Sequence, residues 1–102
     1  MTEAELNIAE IPHENGTVRF RYSRYLSKDK TKWIRHGLFR AYHPNGTLAS
    51  EGNYEHGLET GAWKDYHSTG QLAAEGTYSK GEKAGVWKYW NENGMPDGTE
   101  TF

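Results

Sequence analysis

Large apolar and aromatic residues recur along this chain in short alternating runs separated by glycine-bearing polar turns, and the pattern repeats itself. Gly37–Thr60 aligns with Gly61–Ala84 without a gap, and ten of the 24 positions are identical. Gly37 meets Gly61, Tyr42 meets Tyr66, His43 meets His67 and Gly46 meets Gly70. Leu48, Glu51, Gly52, Tyr54 and Gly57 recur as Leu72, Glu75, Gly76, Tyr78 and Gly81, and Phe39 is answered by Trp63. A further copy starts at Gly85 and runs through Trp87 and Trp90 to Gly94. Periodicity of this length marks stacked supersecondary units.

Each unit reads as a β-hairpin. In Tyr42-His43-Pro44-Asn45-Gly46-Thr47-Leu48, proline suits the first central position of a type I turn, and Gly46 supplies the left-handed residue of a three-residue loop. This places Tyr42 opposite Leu48, Tyr66 opposite Leu72 and Trp63 opposite Glu75. The pleat then sorts side chains by parity. One face is expected to collect Leu38, Tyr42, Leu48, Tyr54, Ala62, Tyr66, Leu72, Ala74, Tyr78, Val86 and Trp90. The other collects Phe39, Trp63 and Trp87 with Ala49, Ala73, Glu51 and Glu75. A glycine inside a strand admits a close neighbour, so rings are expected over Gly52 and Gly76.

Upstream, Val18-Arg19-Phe20-Arg21-Tyr22 alternates as a strand, and Asn15-Gly16-Thr17-Val18 echoes Asn45-Gly46-Thr47-Leu48. Residues 15–36 thus form a degenerate unit whose six extra residues are placed in a Lys-rich tip at Ser27–Thr31. Strands are predicted over 5–11, 17–26, 32–43, 47–54, 61–67, 71–78 and 85–91. The units run 37–60, 61–84 and 85–94, with 95–102 left as a C-terminal tail. The expected fold is all-β: one elongated, twisted, antiparallel sheet of tandem hairpins, a single domain spanning 1–102.

The series Gly61, Trp63, Lys64, Tyr66, Gly70, Leu72, Glu75, Gly76, Tyr78, Gly81, Gly85 resembles the MORN repeat. Of the repeat's forms, it more strongly resembles the bacterial variant found in YwqK-like, antitoxin-type proteins. The resemblance covers residues 37–94 well and 15–36 loosely, and it implies a sheet of successive hairpins that binds proteins or phospholipid head groups. For the bacterial variant it implies an antitoxin or immunity role, in which the chain neutralises a toxin or effector by direct binding.

Composition sharpens this picture. Mean hydropathy is −0.99 and only 34% of residues are hydrophobic, a balance that by itself suggests disorder. The 14% aromatic content, the net charge of −2 and the repeat argue instead for a thin aromatic core. There is no cysteine, which excludes disulfides and thiolate metal sites. No apolar run has signal-peptide or membrane-spanning length, so the expected setting is the cytoplasm.

Charge is uneven. Residues 1–14 hold four acids and no base, whereas 19–40 hold eight bases and one acid, Asp29. The basic candidates are Arg19, Arg21, Arg24, Lys28, Lys30 and Lys32, with Phe20, Tyr22, Tyr25 and Trp33 among them. Such a stretch can meet an acidic protein or an anionic lipid, each base near a membrane contributing about 1 kcal/mol. The slight negative net charge speaks against nucleic acid.

No nucleophile elbow or phosphate loop is present, because the glycines follow the hairpins. His43 and His67 share a repeat position, but two ligands do not make a metal site. Glu51 and Glu75 also repeat, and repetition fits a scaffold better than acid–base catalysis, which needs unlike groups. No enzyme activity, metal or cofactor is therefore expected. The candidate contact residues are the aromatics Phe39, Trp63, Trp87, Tyr42, Tyr66 and Trp90. Open sheet edges also invite a homodimer.

Overall fold

The computed structural model describes residues 5–102; residues 1–4, within the acidic N-terminal stretch and the expected single domain, lie outside the described residues. Among the described residues, eight strands form one open antiparallel sheet in chain order. They are β1 (Asn7–Pro12), β2 (Val18–Leu26), β3 (Trp33–Tyr42), β4 (Leu48–Glu55), β5 (Leu58–Tyr66), β6 (Leu72–Ser79), β7 (Glu82–Trp90) and β8 (Pro96–Thr101). The molecule measures 48 × 36 × 17 Å. Its radius of gyration is 15.4 Å, against about 13 Å for a compact domain of this size. The small dimension is one sheet with its side chains, as the repeat predicts.

The seven expected strands are all present. The eighth falls in the segment expected to be a tail. Residues 96–101 pair with β7, so the copy beginning at Gly85 is a complete hairpin that ends on Phe102, at the repeat position of Tyr54 and Tyr78.

Two kinds of turn alternate at opposite ends of the sheet. At one end lie the loops 13–17, 43–47, 67–71 and 91–95. In each, the first residue's N–H donates to the last residue's carbonyl, and a glycine of positive φ closes the turn, as at Gly46 (φ 92°). At the other end β4–β5 and β6–β7 are joined by two-residue tips, His56-Gly57 and Lys80-Gly81, with positive φ at both residues. That geometry matches the twist of the flanking strands. The β2–β3 tip is longer, residues 27–32. It accounts for four of the six extra residues, and β2 and β3 are each one residue longer than β4 and β5. The expected insertion in Ser27–Thr31 alone is corrected accordingly.

Register overturns part of the expected facing. Tyr42 does oppose Leu48 and Tyr66 does oppose Leu72, but Trp63 opposes Gly76, not Glu75. Ala49 and Ala73 are extra residues, because Ala41 pairs with Ser50 while Tyr42 pairs with Leu48, and Asp65 with Ala74 while Tyr66 pairs with Leu72. A bulged residue inverts the parity of everything beyond it. Tyr54, Ala74 and Tyr78 therefore join Phe39 and Trp63, while Glu51 and Glu75 move to the opposite face, across from Arg40 and Lys64.

Candidate functional site

The ring face holds the core. Ala9, Tyr22, Phe39, Trp63, Ala74 and Trp87 are buried, with Phe20, Tyr54, Tyr78 and Tyr89 packed against them. Phe39 and Trp63 are 5.7 Å apart, and Tyr54 stands edge-on to both, at 5.3 and 5.4 Å. Tyr78 bridges Trp63 and Trp87 in the same way, at 5.6 and 5.1 Å. Edge-to-face pairs of this kind contribute about 0.5–1.5 kcal/mol each beyond area burial. The indole rings lie over the strand glycines as expected: a Cβ at Gly52 would stand 2.1 Å from the Trp63 ring, and one at Gly76 2.2 Å from Trp87. Each indole N–H donates to the carbonyl one residue beyond its glycine, Asn53 O and Thr77 O, both at 3.1 Å.

This packing decides what the aromatic candidates can do. Phe39 and Trp63 are 6% exposed and Trp87 is 1% exposed, so their rings join hairpin to hairpin and offer no surface to a partner. Tyr42, Tyr66 and Trp90 are half-buried on the opposite face, beside the turns. That face also carries a row of charged residues across the strands: Glu10, Arg21, Arg40, Glu51, Lys64, Glu75 and Lys88. Arg21 pairs with Glu10 at 3.0 Å and Arg40 with Glu51 at 2.7 Å, and the Glu51 contact raises the affinity of the Arg40 guanidinium for its proton. Glu51 and Glu75 thus belong to a charged ladder in which Glu51 is ion-paired and Glu75 stands across from Lys64 and Lys88 by register. The exposed Leu38 and Val86 lie on this face too.

The repeated histidines act as clamps. His13, His43 and His67 each place Nε2 2.8 Å from a carbonyl of the next unit, those of Tyr42, Tyr66 and Trp90. The ring N–H donates and the carbonyl accepts. Asn15 and Asn45 reinforce the same end by donating to Pro44 O and Ser68 O. Among the described residues no three of His, Asp and Glu converge as a metal-binding group.

The six basic candidates do not form one patch. Arg21 is ion-paired on the ladder face. Arg19 sits in a bulge between β1 and β2 and lays its guanidinium 4.9 Å from the Phe20 ring. Lys28, Lys30 and Lys32 are exposed at the long tip. Arg24 opposes Arg35 across β2–β3, and its guanidinium stands 4.0 Å from the Trp33 ring. Arg35 is a residue that the sequence reading counted among the bases without singling it out. It reaches over Tyr22, Phe39 and Tyr54, at 4.8, 5.2 and 5.5 Å. The available signal was its repeat position, which holds Arg35, Glu59 and Lys83 in turn. Lys83 plays the same part at the far end, 4.8 Å from Trp87.

Asp29, the only acid in this stretch, is consumed locally. Its carboxylate accepts from the Ser27 and Thr31 hydroxyls at 2.6 and 2.7 Å and from the Thr31 N–H, and these bonds hold its pKa down at about 2.

The geometry defines a class: a one-layer, all-β hairpin repeat that displays side chains on open faces. Comparison with known proteins agrees. The family described as MORN repeat variant matches residues 35–56 and 59–80, so the stretch from β3 to β6 is similar to two successive copies of that repeat. MORN repeats are modules for binding proteins or membranes. No curated protein and no solved structure matches the chain.

Proposed function

We propose that this protein is a non-enzymatic binding module for another protein, acting in the cytoplasm as an antitoxin or immunity protein that neutralises a toxin by direct contact. One observation carries the binding reading. The molecule is a single sheet 17 Å thick whose rings are spent on internal packing, leaving the faces and tips as open surface. The depressions on it are shallow, such as one of about 390 Å³ between Ile8, Arg21, Leu38 and Tyr42. A surface of this kind suits contact with a large partner better than enclosure of a small substrate. The contact positions we assign are those that remain accessible: Tyr42, Tyr66 and Trp90 beside the charged ladder, and the bases of the β2–β3 hairpin. The toxin role is supported by the resemblance of the repeat alone. The test is purification of the chain from its native host under gentle conditions, with mass spectrometry of any stoichiometric companion. A toxin or effector whose activity the chain suppresses on co-expression is expected. A companion that the chain leaves fully active sinks the antitoxin role, and recovery of the chain alone sinks the protein-binding reading.

A second reading, peripheral binding to anionic phospholipid, is favoured by the exposed lysines at the 27–32 tip. Co-sedimentation with phosphatidylserine vesicles at low and high salt tests it. Binding that is absent at low salt removes it.

A further inference from the structure

The first hairpin departs from the repeat at the positions that make up one corner of the sheet. Where later units carry an aromatic ring (Tyr54, Tyr78, Phe102), it carries Arg24; where they carry the glycine of a two-residue tip (Gly57, Gly81), its turn lies in the longer 27–32 tip and Trp33 stands in β3 opposite Leu26. Arg24 is half-buried, lies on Trp33 and donates from Nε to Asn7 Oδ1 at 3.4 Å, and no acid among the described residues engages it. Trp33 is 48% exposed, while the buried ring stack runs on through Tyr22 and Phe39 without it. The longer tip frees position 33 from the glycine that the tighter turn requires, and the residue that stands there is a large ring left open to solvent.

The geometry points to a recognition site, formed by Arg24, Trp33 and Arg35 with Lys32, for a carboxylate-bearing segment of a protein partner that also supplies an apolar side chain. This inference rests on the protein-binding reading above and gives it a location and a partner chemistry. Arg24 and Arg35 face each other across the strand pair, and no carboxylate is ion-paired with either among the described residues. Like charges directly opposite are unfavourable in a sheet, and an incoming carboxylate relieves that repulsion. Both guanidiniums are held against rings, Arg24 on Trp33 and Arg35 over three rings with a 3.3 Å bond to the Tyr54 hydroxyl. A guanidinium oriented in this way loses little freedom when it takes up a carboxylate with two parallel hydrogen bonds. Trp33 stands as a ridge between two open grooves, one reaching Arg35 and Tyr54, the other Leu6 and Leu26. Exposed tryptophan flanked by arginine is the composition of an interface hot spot.

The same surroundings favour a protein over a bilayer or nucleic acid. Glu59 borders the first groove and Glu5 the second. Carboxylates on both sides of the ridge repel a uniformly anionic surface, whereas a peptide of mixed charge meets them with a donor.

The test uses the full chain and a fluorescein-labelled, net-acidic peptide of glutamate and leucine with a lysine at intervals to meet Glu5 and Glu59, followed by anisotropy at low salt. A lysine–leucine peptide, phosphatidylserine vesicles and a duplex oligonucleotide run in parallel. The acidic peptide is expected to bind, and Arg24→Gln and Trp33→Ser each to weaken it by about tenfold, the loss expected for a charged hydrogen bond or an apolar anchor. Both residues lie outside the buried stack, so the variants should melt as the wild type does. Lys64→Gln, on the ladder face, is expected to bind as wild type. No binding of the acidic peptide, equal binding by the variants, or stronger binding of vesicles or duplex each overturns the proposal. If a host protein co-purifies equally with wild type and with both variants, the corner is wrong and the binding module stands. If the peptide result holds but no host protein is found, the corner stands and the protein-binding function fails.

Discussion

At the scale of single residues, the sheet depends on a few exchanges of volume. An indole can cross onto the neighbouring strand at Gly52 and Gly76 because those positions lack a Cβ; the reason is space, not backbone conformation, since neither appears among the residues of positive φ. Gly76→Ala must therefore push the fully buried Trp87 ring, whose other side is held by Tyr78 and the bond to Thr77 O. We expect a loss of about 3 kcal/mol, the upper end for overpacking, read as a lower midpoint in urea. Gly46→Ala makes the contrasting case. A Cβ there meets nothing within 4 Å, so any loss comes from the positive φ alone and should be smaller, about 1 kcal/mol. Equal losses at the two sites would refute this division.

Asp29 gives a pH dependence at the same scale. Its folded pKa of about 2 lies below its ordinary value of 3.8 because the Ser27 and Thr31 bonds favour the charged form. A depressed carboxyl stabilises the fold fully above the ordinary value, and that contribution vanishes as pH falls through the folded one. Melting curves between about pH 5 and pH 2 should show the wild type losing more than Asp29→Asn, with the two converging at the acid end. The carboxylate is exposed, so the effect will be small and confined to that window. Parallel curves across the range would mean that the loop does not use this charge.

At the scale of strands and turns, the sequence was most informative where spacing alone carries the information. The 24-residue recurrence gave hairpins, turn types and rings over glycines, because each follows from counting. It misled at Ala49 and Ala73, which look like ordinary small strand residues and are bulges. Nothing in an alanine announces an extra residue, yet one suffices to carry Tyr54 and Tyr78 to the ring face. The eighth strand was missed because Pro96-Asp97-Gly98 reads as a turn; the signal available was Phe102, 24 residues beyond Tyr78. The Arg24–Arg35 pairing was beyond sequence reasoning, since the long tip and a register shift between Tyr22 and Arg24 hide which residues of β2 and β3 meet. The bulge yields a sharp prediction. Deleting Ala49 restores simple alternation to β4 and drives Tyr54 and Gly52 to the wrong face, removing both Tyr54 ring contacts and the slot under Trp63. The variant should fail to fold cooperatively, whereas Ala49→Ser should keep the fold; circular dichroism and a urea melt distinguish them. A folded deletion variant would show that the sheet tolerates either parity.

At the scale of the whole molecule, each hairpin touches only its neighbours, so stability should behave as a sum of units and interfaces. Removing residues 61–84 joins Thr60 to Gly85 in register. It leaves three hairpins, about the smallest number a repeat array tolerates. In the shortened chain Trp87 takes the place of Trp63 over Gly52 and beside Tyr54, and His43 meets the carbonyl of Trp90 in place of that of Tyr66. The cation over the last indole is lost: Lys83, which stands over Trp87, is replaced at that repeat position by Glu59. The shortened protein should therefore fold as a six-stranded sheet that melts below the wild type by more than the missing interface alone explains. Glu59→Lys should recover part of the difference in the shortened chain by restoring a cation over the indole, a contact of about 0.5–1 kcal/mol at an exposed site. Only β4 separates the acidic-peptide site at Arg24 and Trp33 from the cut, but Tyr54 and Glu59, which border its groove, are both kept, so the deletion alone should leave peptide binding unchanged. If the deletion unfolds the protein and Glu59→Lys does not rescue it, the units are not interchangeable, and the array is one indivisible cooperative block.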